Sequence, residues 1–166
     1  MHKNAIRLTL GTLALVGATS TALATGTVSP RSISSATASQ LAQQAVAACS
    51  ADGYVVTTAV VDRSGVLIGL VRADGAGPHT VAAATAKAFT SASSRNPTSG
   101  IAKAIQSNPD VAGMAQIPGF LVLAGGVPIR IGNEVVGGIG IAGAPGGHLD
   151  EACAQKALEA ISSQLK

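Results

Sequence analysis

Aromatic and charged residues are scarce in this chain of 166 residues. Tryptophan is absent, and aromatic residues make up 2% of the sequence, so the core must be built from alanine, valine, isoleucine and leucine. Charged residues amount to 11%, with 11 Lys and Arg against 8 Asp and Glu. A nucleic-acid interface needs clustered basic side chains and often aromatic rings that stack on bases. The composition therefore argues against a nucleic-acid partner.

Long apolar runs are also missing, apart from a short one near the N-terminus. Lys3 and Arg7 flank the start of an uncharged apolar stretch at residues 8–16, and Ala22-Leu23-Ala24 follows as a small-residue cleavage signal. This is the pattern of a Sec-type signal peptide, and the stretch is short for a membrane span. We expect cleavage after Ala24, a secreted or periplasmic protein, and no stable membrane anchor.

The rest of the chain has the length of one domain with its own core. We predict a signal peptide at residues 1–24, a flexible tail at 25–32 and a single domain at 33–166. Periodicity and turn residues predict elements in the order α-ββ-αα-βββ-α. The predicted strands lie at residues 54–61, 66–72, 120–123, 127–131 and 134–142. Because strands arrive as hairpins, we expect an α+β domain with an antiparallel sheet and helices packed on its faces.

The last predicted strand has one face made almost entirely of glycine and alanine. Alternation places four residues on this face: Val136, Gly138, Gly140 and Ala142. The bulkier side chains share the opposite face: Val135, Ile139 and Ile141. A face with so little side chain allows close approach by a helix, a partner subunit or a planar ligand.

Two cysteines, Cys49 and Cys153, fall on the apolar stripes of the first and last predicted helices. Export permits a disulfide, which would form if the two helices lie side by side. The other interpretation is two buried thiols that act as small hydrophobic side chains. The sequence leaves both open.

Only two histidines follow the predicted signal peptide, and each comes after a loop rich in glycine at the start of a predicted helix. A helix N-terminus favours neutral imidazole, which is the form that ligates iron. We take His79 as the first candidate iron ligand and His148 as the alternative. The competing interpretation is that each histidine caps its helix or faces solvent.

The helix that His79 opens carries Ala83 and Lys87 at i+4 and i+8. An alanine floor between an imidazole and an ammonium, about 12 Å apart along the axis, suits a flat anionic ligand such as haem. Arg72 and Asp74 precede this helix and either contact the ligand or form an ion pair that fixes the loop. The predicted ligand site is therefore Arg72, Asp74, His79, Ala83 and Lys87, unless this face is simply solvated surface.

Five short motifs occur together in the chain: V-V-D-R-S-G at 60–65, R-A-D-G-A at 72–76, K-A-F-T at 87–90, G-G-V-P-I at 125–129 and V-G-G-I-G at 136–140. In this combination the chain resembles the GlcG/HbpS family over about residues 33–161. That family includes extracellular haem-binding proteins and the PduO C-terminal domain. The resemblance implies a profilin-like α/β fold with a five-stranded antiparallel sheet, assembly into homo-oligomers, and haem as the cofactor.

The leading hypothesis is an exported protein that binds haem or a similar planar tetrapyrrole, in haem or iron sensing, sequestration or handling. A second is an enzyme acting on a small organic acid, whose carboxylate is held by Arg72 or Arg130. Proton transfer would then fall to Lys87, His79 or Glu134. A third is a structural or accessory oligomer in which the glycine-rich face serves assembly alone.

Overall fold

The computed structural model describes residues 26–166, and the predicted signal peptide lies outside the described residues. The described part contains four α-helices: α1 (Ser35–Ala51), α2 (His79–Ser94), α3 (Thr98–Ser107) and α4 (Gly147–Ala160). It contains four strands: β1 (Thr57–Asp62), β2 (Leu67–Arg72), β3 (Gly126–Ile131) and β4 (Glu134–Ala142). Two 3₁₀ helices lie at Pro109–Gln116 and Ser162–Gln164. In this part of the chain no helix is both long and apolar enough to cross a membrane.

The strands form one antiparallel sheet in the order β2-β1-β4-β3, which confirms the α+β class with helices on both faces. Helices α1 and α4 pack on one face and α2 packs on the other. The prediction of five strands is wrong, because residues 120–123 form no strand. The backbone N–H of Leu121 donates instead to Thr90 Oγ1 of α2, at 2.8 Å. The element order is therefore α-ββ-αα-ββ-α.

Helix α1 begins where the sequence signals it, since Ser34 Oγ accepts a hydrogen bond from the backbone N–H of Thr37 at 3.2 Å. The helix lies beside α4, and a disulfide joins Cys49 to Cys153 with their Cα atoms 5.3 Å apart. The bond closes a long loop between the first and last helices. Of the two interpretations left open by the sequence, the structure contains the bridge.

The glycine-rich face of β4 is covered by helix α2. A Cβ atom on Gly140 would overlap the backbone oxygen of Ala84, and one on Gly138 would overlap the backbone oxygen of Ala88. The helix backbone therefore lies almost directly on the strand, at a separation that only glycine permits. The sequence allowed a helix, a partner subunit or a planar ligand on this face, and in the structure a helix of the same chain covers it.

The side-chain alternation along β4 breaks at its N-terminal end. Ile129 of β3 pairs with Gly137 and Arg130 pairs with Val135, so Val136 is an extra residue in the ladder. Val136 joins the core beneath α1 and α4, while Val135 turns to the side of α2. The predicted faces of these two valines are therefore exchanged, because a β-bulge shifts the period-2 pattern by one residue.

Candidate ligand-binding site

The face of β2 on the side of α2 is only partly covered. β2 is an edge strand, and α2 packs mainly on β4, β1 and β3. The register with β1 places three residues of β2 on this side: Leu67, Leu70 and Arg72. Leu67 and Leu70 remain 43% and 37% exposed. We call these two leucines the apolar shelf.

A groove of about 460 Å³ runs along α2. Its lining includes Gly65, Ala82, Ala86, Phe89, Pro118 and Gly119. Gly65 lies in the turn between β1 and β2, two residues before the shelf begins. The shelf and the groove are therefore neighbouring surfaces linked by the β1–β2 turn, and the groove is lined mainly by small residues and one aromatic ring.

That ring belongs to Phe89, which is held between two glycines. A Cβ atom on Gly65 would lie 2.6 Å from Phe89 Cδ2, and one on Gly119 would lie 3.2 Å from Cε1. Both glycines have positive φ, at 82° and 84°, in a region that side chains disfavour. Phe120 meets the ring edge-on, with the centroids 6.0 Å apart. The wall of the groove is therefore fixed by packing on several sides.

The opposite end of the shelf is polar. Arg72 pairs in register with Thr57, whose hydroxyl lies 2.6 Å from that of Thr80 at the start of α2. Among the described residues Arg72 forms no ion pair with Asp74; its guanidinium donates to the carbonyl of Ala76, in the loop before α2. Asp74 is exposed in that same loop. Two roles were expected for Arg72, contact with the ligand or an ion pair with Asp74 that fixes the loop. The ion pair is not formed among the described residues.

His79 is exposed at the first position of α2, beside this loop. Its imidazole leans back over Gly77, where a Cβ atom would lie 2.7 Å from His79 Cε1. Ala83, one turn further along α2, is partly buried and packs against the small core cluster between α2 and the sheet. The structure thus places Arg72, Asp74 and His79 at the end of β2, in the loop that follows and at the start of α2, and all three are exposed.

Lys87, the remaining predicted residue, does not share this exposed surface. Its side chain is 2% exposed, and Nζ donates to the Ile141 carbonyl at 2.8 Å and to Asp150 Oδ2 at 2.9 Å. Each step of four residues turns about 40° around a helix, so Lys87 lies about 80° from His79 and faces the sheet. The ammonium expected at the far end of the ligand site is instead part of the core.

The Lys87–Asp150 pair connects α2 to the start of α4. Asp150 Oδ1 also accepts a hydrogen bond from the backbone N–H of Ala144, at 3.0 Å. Burial raises the pKa of the Asp150 carboxyl, and the hydrogen bond from Lys87 opposes that rise. The buried ammonium of Lys87 and carboxylate of Asp150 are thus paired with each other and hydrogen-bonded to the backbone, and neither lines the groove.

His148, the alternative iron ligand, lies in a different place. It lines a cavity of about 610 Å³ between α3 and α4, together with Lys103, Leu123 and Glu151. Its imidazole leans over Gly146 in the same way as that of His79 leans over Gly77. Within residues 26–166 no three His, Cys, Asp or Glu side chains cluster as a metal site. Neither histidine is therefore part of a multi-residue metal centre among these residues.

Sequence reasoning missed three apolar residues of this surface: Leu67, Leu70 and Phe89. The spacing i, i+3, i+7 and i+10 from His79 does reach Phe89 through Ala82 and Ala86, so a signal for the groove was present. No comparable signal marks the two leucines, because their exposure depends on the position of β2 at the sheet edge.

Most of the chain is similar to a known protein family and to solved structures. The family described as "Haem degrading protein HbpS-like" matches residues 33–159. A double-substituted form of HbpS from Streptomyces reticuli is 39% identical, with a TM-score of 0.78, over 87% of this chain and 97% of that chain. The ORFY protein of Klebsiella pneumoniae is 25% identical, with a TM-score of 0.79, over 86% of this chain and 99% of that one.

A PduOC–haem complex is 23% identical, with a TM-score of 0.71, and covers 78% of this chain and 95% of that one. At that identity the likeness shows a common fold. A search of curated proteins gave no significant match.

Proposed function

Because the chain belongs to the HbpS-like family of haem degrading proteins, we propose that it binds haem on the surface formed by the shelf and the groove beside α2. The observation that carries the proposal is the combination on one surface of a flat apolar area with a guanidinium and an imidazole at its end. The PduOC–haem complex supports it in one respect, since that protein has the same fold and holds haem.

The chemistry of these residues fits a tetrapyrrole. Haem is a large planar ligand with an apolar ring and two carboxylates, and binding sites for such ligands are mainly apolar with a few placed polar groups. Leu67 and Leu70 would contact the ring, and Arg72 would hold a carboxylate through its N–H donors. His79 would ligate the iron. Haem would supply a redox-active iron, and the residues of the chain would bind and orient it.

Export and self-association belong to the same proposal. The N-terminal pattern supports export to the periplasm or the medium, where haem or iron sensing, sequestration or handling would take place. The edge strand β2 supports a homo-oligomer, because an exposed edge with apolar side chains is a natural surface for a second copy. Intact mass of the exported protein tests the first point, with Thr25 expected as the N-terminal residue, and light scattering tests the second.

The small-acid enzyme is not proposed, because two of the three groups named for proton transfer, Lys87 and Glu134, are occupied by ion pairs. Lys87 is buried against Asp150, and Glu134 accepts hydrogen bonds from Arg31 and Arg63. The hydrogen bond from Arg31, followed by the contacts with Arg63, lowers the pKa of Glu134. A carboxylate held in its charged form by two guanidinium groups is a poor proton shuttle at neutral pH.

The experiment is a hemin titration of the purified protein, followed by absorption spectroscopy, with His79→Ala and His148→Ala as a matched pair. We expect saturable one-to-one binding and a Soret band that shifts in His79→Ala and stays unchanged in His148→Ala. A shift in His148→Ala alone would move the site to the cavity between α3 and α4. Broad, unsaturable spectra in all three proteins would reject haem as the ligand.

A further inference from the structure

Four arginines gather where the hairpin of β3 and β4 meets the C-terminal end of α2. Arg31 and Arg63 both bind Glu134, with Arg31 Nε 3.0 Å from Oε2. Arg130 Nη2 donates to the carbonyl of Arg95 at 2.6 Å. These contacts bring side chains from the segment before α1, the β1–β2 turn, α2 and β3 to one place. Neither the haem proposal nor the core makes use of this cluster.

A cavity of about 470 Å³ lies beside this cluster, and Arg130 adjoins it by donating to the carbonyls of two lining residues, Arg95 and Asn133. Arg63 and Arg95 line it, together with the hydroxyl-bearing Ser93, the amide-bearing Asn133 and Glu134. In the part of the chain that the structure describes, no carboxylate pairs with Arg95, and Arg130 donates only to backbone carbonyls. Of the two arginines that line the cavity, Arg63 is paired with Glu134, and Arg95 has guanidinium donors that no carboxylate of the described chain neutralises.

The local charge balance favours an anion. The two carboxylates at this end are Glu134 and Asp62, and Asp62 Oδ1 already accepts hydrogen bonds from the backbone N–H groups of Ser64 and Val66. The charged side chains that line the cavity are Arg63, Arg95 and Glu134, which leaves an excess of one positive charge, and the guanidinium of Arg130 lies beside them. Guanidinium groups bind carboxylates and phosphates through paired N–H donors, and such charge-assisted bonds are stronger than neutral ones.

Arg95 also occupies an unusual backbone position. It follows the last turn of α2 with φ 59°, and among the described residues it is the only non-glycine residue with positive φ. Glycine or asparagine is the usual residue at such a helix end. Backbone preference therefore does not account for arginine here, whereas a role for its side chain in the cavity does.

We infer that this cavity binds a small anion, either a phosphate group or a dicarboxylate, mainly through Arg95, with Arg63 in the lining and Arg130 beside it. The cavity is separate from the proposed haem surface. The 16 residues of α2 separate His79 from Arg95 by about 24 Å along the axis. The inference is independent of haem binding and rests on the charge and lining of the cavity alone.

The test is isothermal titration calorimetry of the purified protein at low ionic strength, with inorganic phosphate and with succinate. The key variant is Arg95→Gln, because the side chain of Arg95 has no ion-pair partner in the described chain and its loss should leave the fold intact. Lys103→Gln is the matched control, since it removes one positive charge from an exposed position on α3. Circular dichroism and the melting temperature report on folding of both.

We expect saturable binding of at least one of the two anions, weakened about tenfold in Arg95→Gln and less than about twofold in Lys103→Gln. Binding of phosphate alone or of succinate alone would assign the ligand class. The inference is overturned if neither anion binds saturably, or if Lys103→Gln weakens binding as much as Arg95→Gln. It is also overturned if Arg95→Gln weakens hemin binding to the same extent, since the cavity would then belong to the haem site.

Discussion

The ammonium nitrogen of Lys87 lies 2.9 Å from Asp150 Oδ2, and the two side chains are 2% and 3% exposed. Lys87 comes from α2 and Asp150 from the first turn of α4, so the pair joins helices on opposite faces of the sheet past the end of β4. A buried ion pair of this kind stabilises little relative to an apolar pair, yet it is costly to break by removing one partner.

Lys87→Met is therefore expected to lower the free energy of unfolding by about 3–5 kcal/mol, because it leaves the Asp150 carboxylate buried without its cation. Urea denaturation measures the change. The double variant Lys87→Met/Asp150→Leu should regain most of the loss, since both charges are then absent. Lys103→Met, at an exposed lysine, serves as the control. A single variant as stable as this control would show that the pair does not anchor the two helices.

Gly140→Ala is expected to cost about 3 kcal/mol or more, because the new Cβ would overlap the backbone of α2 at Ala84 and Ala88. Gly100→Ala is the matched control, since a Cβ at that position in α3 meets nothing within 4 Å. The control should raise stability by up to about 1 kcal/mol. Thermal unfolding distinguishes the two, and equal stabilities would contradict the close contact between α2 and β4.

The disulfide between Cys49 and Cys153 spans a sequence separation of 104 residues. In the chain-entropy account, closing a loop of this length stabilises the fold by about 4–5 kcal/mol. We expect reduction with dithiothreitol to lower the denaturation midpoint accordingly. A Cys49→Ala/Cys153→Ala variant should match the reduced protein and respond to no reductant. A wild-type midpoint that does not change on reduction would contradict this prediction.

Glu134 gives a pH-dependent contribution to stability. Hydrogen bonds and charges from Arg31 and Arg63 lower its pKa below the ordinary value of 4.5. Its stabilising effect is therefore complete above that value and is lost as the pH falls through the lowered pKa. The difference in melting temperature between wild type and Glu134→Gln should be constant near neutral pH and shrink in acid. If the difference in melting temperature grew in acid instead, the ion pairs of Glu134 with Arg31 and Arg63 would not be stabilising the fold in the way described.

Leu67→Ser and Leu70→Ser test the apolar shelf without disturbing the core, because both leucines are exposed. If haem covers them, each substitution should weaken hemin affinity by about three- to tenfold through lost apolar burial. Val55→Ser is a matched control, since Val55 is 46% exposed and lies outside the shelf. Fluorescence or absorption titration gives the affinities, and equal effects at all three positions would remove the shelf from the site.

The sequence predicted those elements whose signals are local. The strands predicted at residues 127–131 and 134–142 match β3 and β4 almost to the residue, because turn residues and side-chain alternation are local signals. The strand predicted at residues 120–123 is wrong, because an apolar run does not show whether a neighbouring strand is available for pairing. In the structure, Leu121 bonds to Thr90 of α2, and this tertiary contact replaces the strand pairing.

The sequence alone determined the helices, the hairpins, the family and the loop that presents Arg72 and His79, because these depend on short-range pattern or on combined motifs. Only the tertiary structure decided which surfaces are covered. Periodicity shows which residues share a face of α2, but the packing of that helix on Gly138 and Gly140 turned Lys87 inward to Asp150. The same packing left the shelf on β2 exposed, because one helix is too narrow to cover all four strands.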